Sequence, residues 1–297
     1  MEDTAPVPSR RRLALACTTL ALALAAGCGF SGGAAPLPLQ ASGGPFVADG
    51  PATHAVVWAV GDGPPGPGAA ATARLVSGAR ADTVLYLGDV YPNGTASAFK
   101  NAYRPTYGVF ASRTAPTPGN HDWPYRTQGY EPYWRSVHGR RTPAWYSFRA
   151  GGWRLISLNS EAASSPAQLG WLRTQLRGSG TCSLAFWHRP RFSAGLHGDA
   201  ADMDPYWRTL AGHARIVVSG HDHDMQRMSP RNGLVQYVSG AGGHSHYAID
   251  RSYAGLAFGN DSEYGALRIT LRPGSASLDF VSASGRTLDS SRAICRR

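Results

Sequence analysis

The side chains able to do chemistry in this chain sit in five short fragments. They are Gly61-Asp62, Gly88-Asp89-Val90-Tyr91, Gly119-Asn120-His121-Asp122, Trp187-His188 and Gly220-His221-Asp222-His223. In the last fragment two imidazoles stand two residues apart, so in an extended loop both rings face one side. Carboxylate, amide oxygen and imidazole together suit Zn, Fe or Mn, and the absence of cysteine from the fragments excludes an iron–sulfur or zinc-ribbon site. Two cations held about 3.5–4 Å apart need one shared carboxylate and mixed donors on each side. Asp62, Asp89, Asn120, His188, His221 and His223 are the candidates, with Tyr91 as an extra oxygen. Each residue alone has an ordinary reading. Asp62 or Asp89 could cap a helix, Asn120 could occupy a left-handed turn, and His188 could be a packed core histidine. A metal site explains why all of them directly follow apolar runs.

Those runs are the elements that must position them. Residues 55–60, 83–87, 114–118, 184–187 and 216–219 predict strands, and ligands at strand ends match the place where open α/β sheets keep their sites. Residues 69–77 and 96–103 predict helices. The resulting β-α-β-α-β order favours parallel strands with right-handed crossovers. Residues 144–149 and 153–158 predict a hairpin turned at Gly151-Gly152. Ser164-Ser165-Pro166 starts a helix through residue 176, and Asp204-Pro205 opens another through 211. Residues 235–239, 266–271 and 277–281 predict further strands. Segment 125–142 reads as a long aromatic and Arg-rich connection; with 243–259 it would set substrate selectivity. The expected whole is one α/β domain over 53–297, with two stacked sheets and helices outside.

Net charge is +10, and only Lys100 among the 29 basic residues is not arginine. The arginines are scattered, with no basic helix or aromatic platform, which argues against a nucleic-acid partner. A positive field would draw phosphorylated substrates to a cleft. Residues 1–28 read as an export signal: Ser9-Arg10-Arg11-Arg12, then an apolar run over 13–26 too short to span a bilayer. The run ends in Ala25-Ala26-Gly27-Cys28, similar to a bacterial lipobox, which makes Cys28 the expected lipidation site and the cell surface or exterior the expected location. Ser-Arg-Arg-x-Leu also resembles a twin-arginine signal. Residues 29–52, rich in Gly, Ala, Pro and Ser, read as a flexible tether. In an exported chain, Cys182 and Cys295 form an expected disulfide.

The five fragments, in this order, resemble the calcineurin-like metallophosphoesterases, and most closely the purple acid phosphatase branch in its short bacterial form. Residues 103–108, 155–160, 192–198 and 239–243 carry supporting similarity, so that the likeness covers roughly 55–297. It implies a four-layer αββα sandwich of two mixed sheets flanked by helices. It implies two metal ions, Fe with Zn, Mn or Fe. Asp62, His223 and Tyr91 would bind the first, Asp89 would bridge, and Asn120, His188 and His221 would bind the second. His121 would contact the phosphate and protonate the leaving oxygen, His197 would act as a second outer histidine, and Asp122 would orient His121 from behind. The implied activity is hydrolysis of phosphate monoesters of small molecules. Alternatives are a phosphodiesterase or nucleotide hydrolase on the same metal core, and a non-catalytic metal-binding surface protein.

Three departures from the family pattern matter. Gly63-Pro64 follows Asp62 where a further Gly or a His is usual. Tyr91 lies two residues after Asp89 rather than three, which puts its ligation in question. Met225 stands where an aromatic is usual.

Overall fold

The computed structural model describes residues 39–41, 45–178 and 180–296. The export signal, the lipobox-like Cys28 and most of the tether lie outside them. From Pro38 onward the chain is one compact unit.

Among the described residues, thirteen strands form two sheets. The first runs β13 (Thr287–Ile294), β12 (Ser275–Ser282), β11 (Gly265–Arg272), β1 (Ala55–Val60), β2 (Thr83–Tyr86), β3 (Thr114–Pro116). The second runs β10 (Leu256–Asn260), β8 (Met225–Met228), β9 (Val235–Ser239), β7 (Ile216–Ser219), β6 (Ser183–Phe186), β5 (Trp153–Ser157), β4 (Tyr146–Ala150). As the alternating pattern predicts, β1, β2 and β3 pair in parallel, with α1 (Pro67–Gly78) crossing between the first two. In the second sheet β5, β6, β7 and β9 are also parallel. Both sheets are mixed, because hairpins close their edges.

Period-two alternation in the second sheet builds two cores. Leu155, Leu184, Ile216 and Val218 face the first sheet and join its Val57, Ala59, Leu267, Ile269 and Phe280. Their neighbours Ile156, Ala185 and Val217 face outward and pack with Leu172 and Leu176 of α4 (Pro166–Leu176) and with Tyr206, Trp207 and Leu210 of α5 (Asp204–Leu210). The expected layers of helix, sheet, sheet and helix follow from this division. Cys182 and Cys295 are bonded, with Cα atoms 4.9 Å apart, so the bridge ties the start of β6 in one sheet to the end of β13 in the other.

Three expectations need correction. The helix over 96–103 is one α turn, α2 (Ala96–Ala98), followed by a π turn at Phe99–Tyr103. The connection over 125–142 contains a helix, α3 (Tyr130–His138), with buried Tyr130 and Trp134 on one face and a left-handed Gly139 as its stop. Pro132 and the lack of a capping side chain hid it. The tether ends before residue 46: Phe46 and Val47 are buried, and the Phe46 ring lies 5.0 Å from that of Tyr146 and 4.6 Å from that of His138. Two large apolar residues dock that polar-looking segment on the domain. Strands β8, β10 and β13 lacked a clear sequence signal. β13 is a polar edge strand, half exposed, and owes its conformation to pairing with β12.

Candidate metal centre

Every loop carrying a ligand-type residue leaves the C-terminal end of a strand: β1, β2, β3, β6 and β7. Asp62, Asp89 and His221 have φ of 62°, 62° and 73°, a left-handed conformation that costs a non-glycine residue about 1–2 kcal/mol. Their own hydrogen bonds hold them there. The Asp62 N–H donates to the Gly88 carbonyl, the Asp89 N–H to Asp122 Oδ2, and the His221 N–H to Asp62 Oδ2. Close packing of the loops requires glycine beside them. A Cβ on Gly88 would come within 2.8 Å of His188 Nδ1 and 2.6 Å of the Gly119 nitrogen, and one on Gly119 would collide with the Asp89 carboxylate.

Four donor atoms converge around His188. Its Nε2 lies 3.0 Å from Asn120 Oδ1, 3.1 Å from His221 Nδ1 and 3.4 Å from Asp89 Oδ2. Among the described residues, Asp89, His188 and His221 form the one group of three His or carboxylate side chains close enough to share an ion, and all three are buried. His188 Nδ1 lies 2.8 Å from the Leu87 carbonyl, so that nitrogen carries the donated proton and Nε2 faces the cluster.

A second set meets the same oxygen of Asp89. The Tyr91 hydroxyl is 3.4 Å from Asp89 Oδ2 and 2.8 Å from His223 Nε2, and that nitrogen is 3.9 Å from Asp62 Oδ1. His223 Nδ1 donates to the Ser245 carbonyl, 3.0 Å away, leaving Nε2 turned inward. Despite its shifted spacing, Tyr91 therefore reaches the site. Asp62 Oδ1 is buried with no hydrogen-bond partner. An orphaned carboxylate oxygen is costly in a protein interior, and here it faces donors that a cation would join.

The remaining expected residues divide. His121 and His197 stand at the rim, their side chains each 37% exposed. His121 Nδ1 lies 2.6 Å from the Pro92 carbonyl, and its Nε2 points back to 3.9 Å from Asp89 Oδ2. His197 stacks on His221 at 4.0 Å between centroids. Asp122 does not orient His121. Its carboxylate accepts the N–H groups of Asp89, Val90 and Gly119, and so it ties two ligand loops together. The Pro92 carbonyl holds the His121 ring instead.

Sequence reasoning missed Asp222, whose Oδ1 accepts both the backbone N–H and Nδ1–H of His197, each at 2.9 Å. It stands between His221 and His223 in a run of bends. Also missed were His244, its ring 4.2 Å from that of His223 and 4.5 Å from that of Tyr91, and Tyr247, stacked on His223 at 4.1 Å. His244-Ser245-His246 repeats the spacing of His221 and His223, a signal that could have found this loop. A cavity of about 370 Å³ beside His197 and His221 is lined also by Arg189, whose guanidinium meets Glu161 through Nε at 2.7 Å.

Burial and neighbouring charges set the protonation of both sets. Burial and the neighbouring Asp89 raise the Asp62 carboxyl well above the usual range. Burial opposes ionisation of Asp89 too, but His188 and His121 outweigh it and keep Asp89 ionised. Burial disfavours charge on His188, yet the two carboxylates win and push it up to about 10. Its proton supplies the positive charge that the cluster needs. Burial, with cationic neighbours, lowers His221 and brings His223 to about 4, so both are neutral donors. Burial and the Asp62 and Asp89 charges raise the Tyr91 hydroxyl. The donor set and the orphaned oxygen fit bound metal.

Comparison with known proteins agrees with this geometry. Residues 55–225 match the profile of the calcineurin-like phosphoesterase family, and the chain belongs to that family. Tartrate-resistant acid phosphatase type 5 of mouse is 26% identical over 131 residues, 41% of this chain and 40% of that protein; the pig protein is 26% identical over 136 residues. The match thus spans about two fifths of these relatives' length. Among solved structures, purple acid phosphatase from yellow lupin superposes with a TM-score of 0.62 at 15% identity, over 83% of this chain and 55% of that one. GAP50, an anchor in the inner membrane complex of Plasmodium, superposes at 0.69 with 17% identity, over 82% and 90%. A zebrafish dimetal phosphatase gives 0.53 at 12% identity, over 80% and 98%.

Proposed function

We propose that this chain is an exported, lipid-anchored hydrolase of phosphate monoesters that uses two metal ions. The observation that carries the reading is that two groups of donors meet at Asp89 Oδ2. Asn120 and His221 gather around His188, which reaches that oxygen, and Asp62 and Tyr91 gather around His223, with Tyr91 reaching it too. When bound, the ions would supply Lewis acidity, lowering the pKa of water from 15.7 toward about 7 and offsetting phosphate charge.

The chain's own residues do the rest. Asp89, kept ionised, would be shared between the ions. The neutral His221 and His223 offer lone pairs, and their partners and neighbours fix their direction. His197, oriented by Asp222, would offer Nε2 to an equatorial phosphate oxygen. His121, at the rim, holds Nδ1–H on the Pro92 carbonyl and offers Nε2 to protonate the departing alcohol. No side-chain nucleophile is needed. The zebrafish and lupin neighbours support a phosphatase; the apolar run before Cys28 supports the anchor.

Protein stripped with a chelator and reloaded should regain hydrolysis of a chromogenic monoester, with two ions per chain by elemental analysis. Full activity without metal, or activity confined to a diester, would overturn the reading. Radiolabelled fatty acid incorporated by the wild-type chain and not by Cys28→Ser would test the anchor.

A further inference from the structure

The far end of the second sheet holds a cleft unrelated to the metal centre. Arg149, Arg154 and Arg177 line a cavity of about 420 Å³, together with Gly152, Gly178, Gly180, Cys182 and Ser183. It opens at the start of β6. His188 lies five residues on, beyond the other end of that strand, roughly 16 Å away at extended spacing.

Among the described residues, the guanidinium groups here form no ion pair, although Asp49 Oδ1 accepts the backbone N–H of Arg149 at 2.7 Å. Arg149 and Arg154 are direct partners across the β4–β5 hairpin, and like charges so placed destabilise a pair. Arg177 closes α4 next to them. Some arginines elsewhere meet carboxylates, as Arg189 meets Glu161, Arg191 meets Asp204, Arg227 meets Asp289 and Arg268 meets Asp279. Among the described residues, no carboxylate lies within ion-pair distance of the cleft's three guanidinium groups. Arg154 instead donates to the neutral Gln175 Oε1 at 3.0 Å. Burial and Arg149 depress its pKa, a sign that the positive charges crowd one another. Three fork-shaped cationic donors lining one cavity are the kind of side chain that binds a phosphate group.

We propose that this cleft is a binding site for a phosphate-bearing anion, separate from the metal centre. A phospholipid headgroup and free inorganic phosphate would present the same chemistry to these arginines.

The test uses metal-loaded protein beginning at residue 38, the compact unit, at fixed salt, in two arms. One measures the rise in unfolding temperature with inorganic phosphate. The other measures co-sedimentation with phosphatidylglycerol vesicles against phosphatidylcholine vesicles. The variants are the exposed Arg177→Gln and the double variant Arg149→Gln/Arg154→Gln, each expected to keep full monoester hydrolysis. A headgroup site predicts selective binding to the anionic vesicles, reduced about fivefold for each arginine removed. A site for free phosphate predicts that part of the thermal shift disappears in the variants. Equal behaviour of wild type and both variants in both arms overturns the proposal, whether or not the anchor reading survives.

Discussion

Asp222 touches no donor of the metal set through its side chain, so its removal isolates the role assigned to His197. Its Oδ1 accepts two hydrogen bonds from His197, and its Oδ2 accepts the Ser193 hydroxyl. In Asp222→Asn the ring keeps an acceptor but loses its charge. A bond to a charged group is worth about 1.5–3 kcal/mol and a neutral one about 0.5–1.5. The loss of about 1–1.5 kcal/mol corresponds to a roughly tenfold fall in kcat with little change in KM. Stability also falls. The new amide would face Ser193 Oγ, which already accepts the Gly195 N–H and Gln226 Nε2–H. One unsatisfied buried donor costs about 1–3 kcal/mol, and about 2 kcal/mol lowers Tm by roughly 4–8 °C. The assay is steady-state hydrolysis of a monoester below both transitions, with metal content checked in each variant. His197→Ala should lose about a hundredfold or more. If Asp222 works through His197, the double variant is no slower than His197→Ala alone. A further tenfold loss in the double variant, with metal content unchanged, would refute this reasoning.

Three more outcomes follow from the geometry. In the metal-free protein His188 holds its proton up to about pH 10, and an ion must displace it. Apparent metal affinity should therefore fall at least about tenfold per pH unit on going from pH 8 to 6, as metal-buffer titrations would show; a flat profile contradicts it. Gly119→Ala should leave a folded protein that binds metal poorly, because the new methyl meets the Asp89 carboxylate; far-ultraviolet circular dichroism and elemental analysis read the two parts. Replacing Cys182 and Cys295 by Ser should cost about 2–5 kcal/mol, since 113 residues separate them, and calorimetry should find Tm lower by several degrees with the metal centre intact.

The kinds of donor and their places at strand ends were legible in the amino-acid order alone. Short apolar strands, each broken by glycine and followed by Asp, Asn or His, specified an α/β sheet with donors at its strand ends, because local propensity and turn chemistry act within a few residues. It also placed the Cys182–Cys295 bridge and the helix starts at Ser165 and Asp204. Which atoms meet was legible only in the folded chain. That Tyr91 reaches the site, that Asp122 ties loops rather than His121, and that Asp222 holds His197 depend on contacts 25 to more than 100 residues apart. The buried Phe46, the polar edge strand β13 and the helix α3 likewise take their conformation from packing partners distant in the chain. Such contacts gain free energy only when the whole core closes, and no window of sequence contains them.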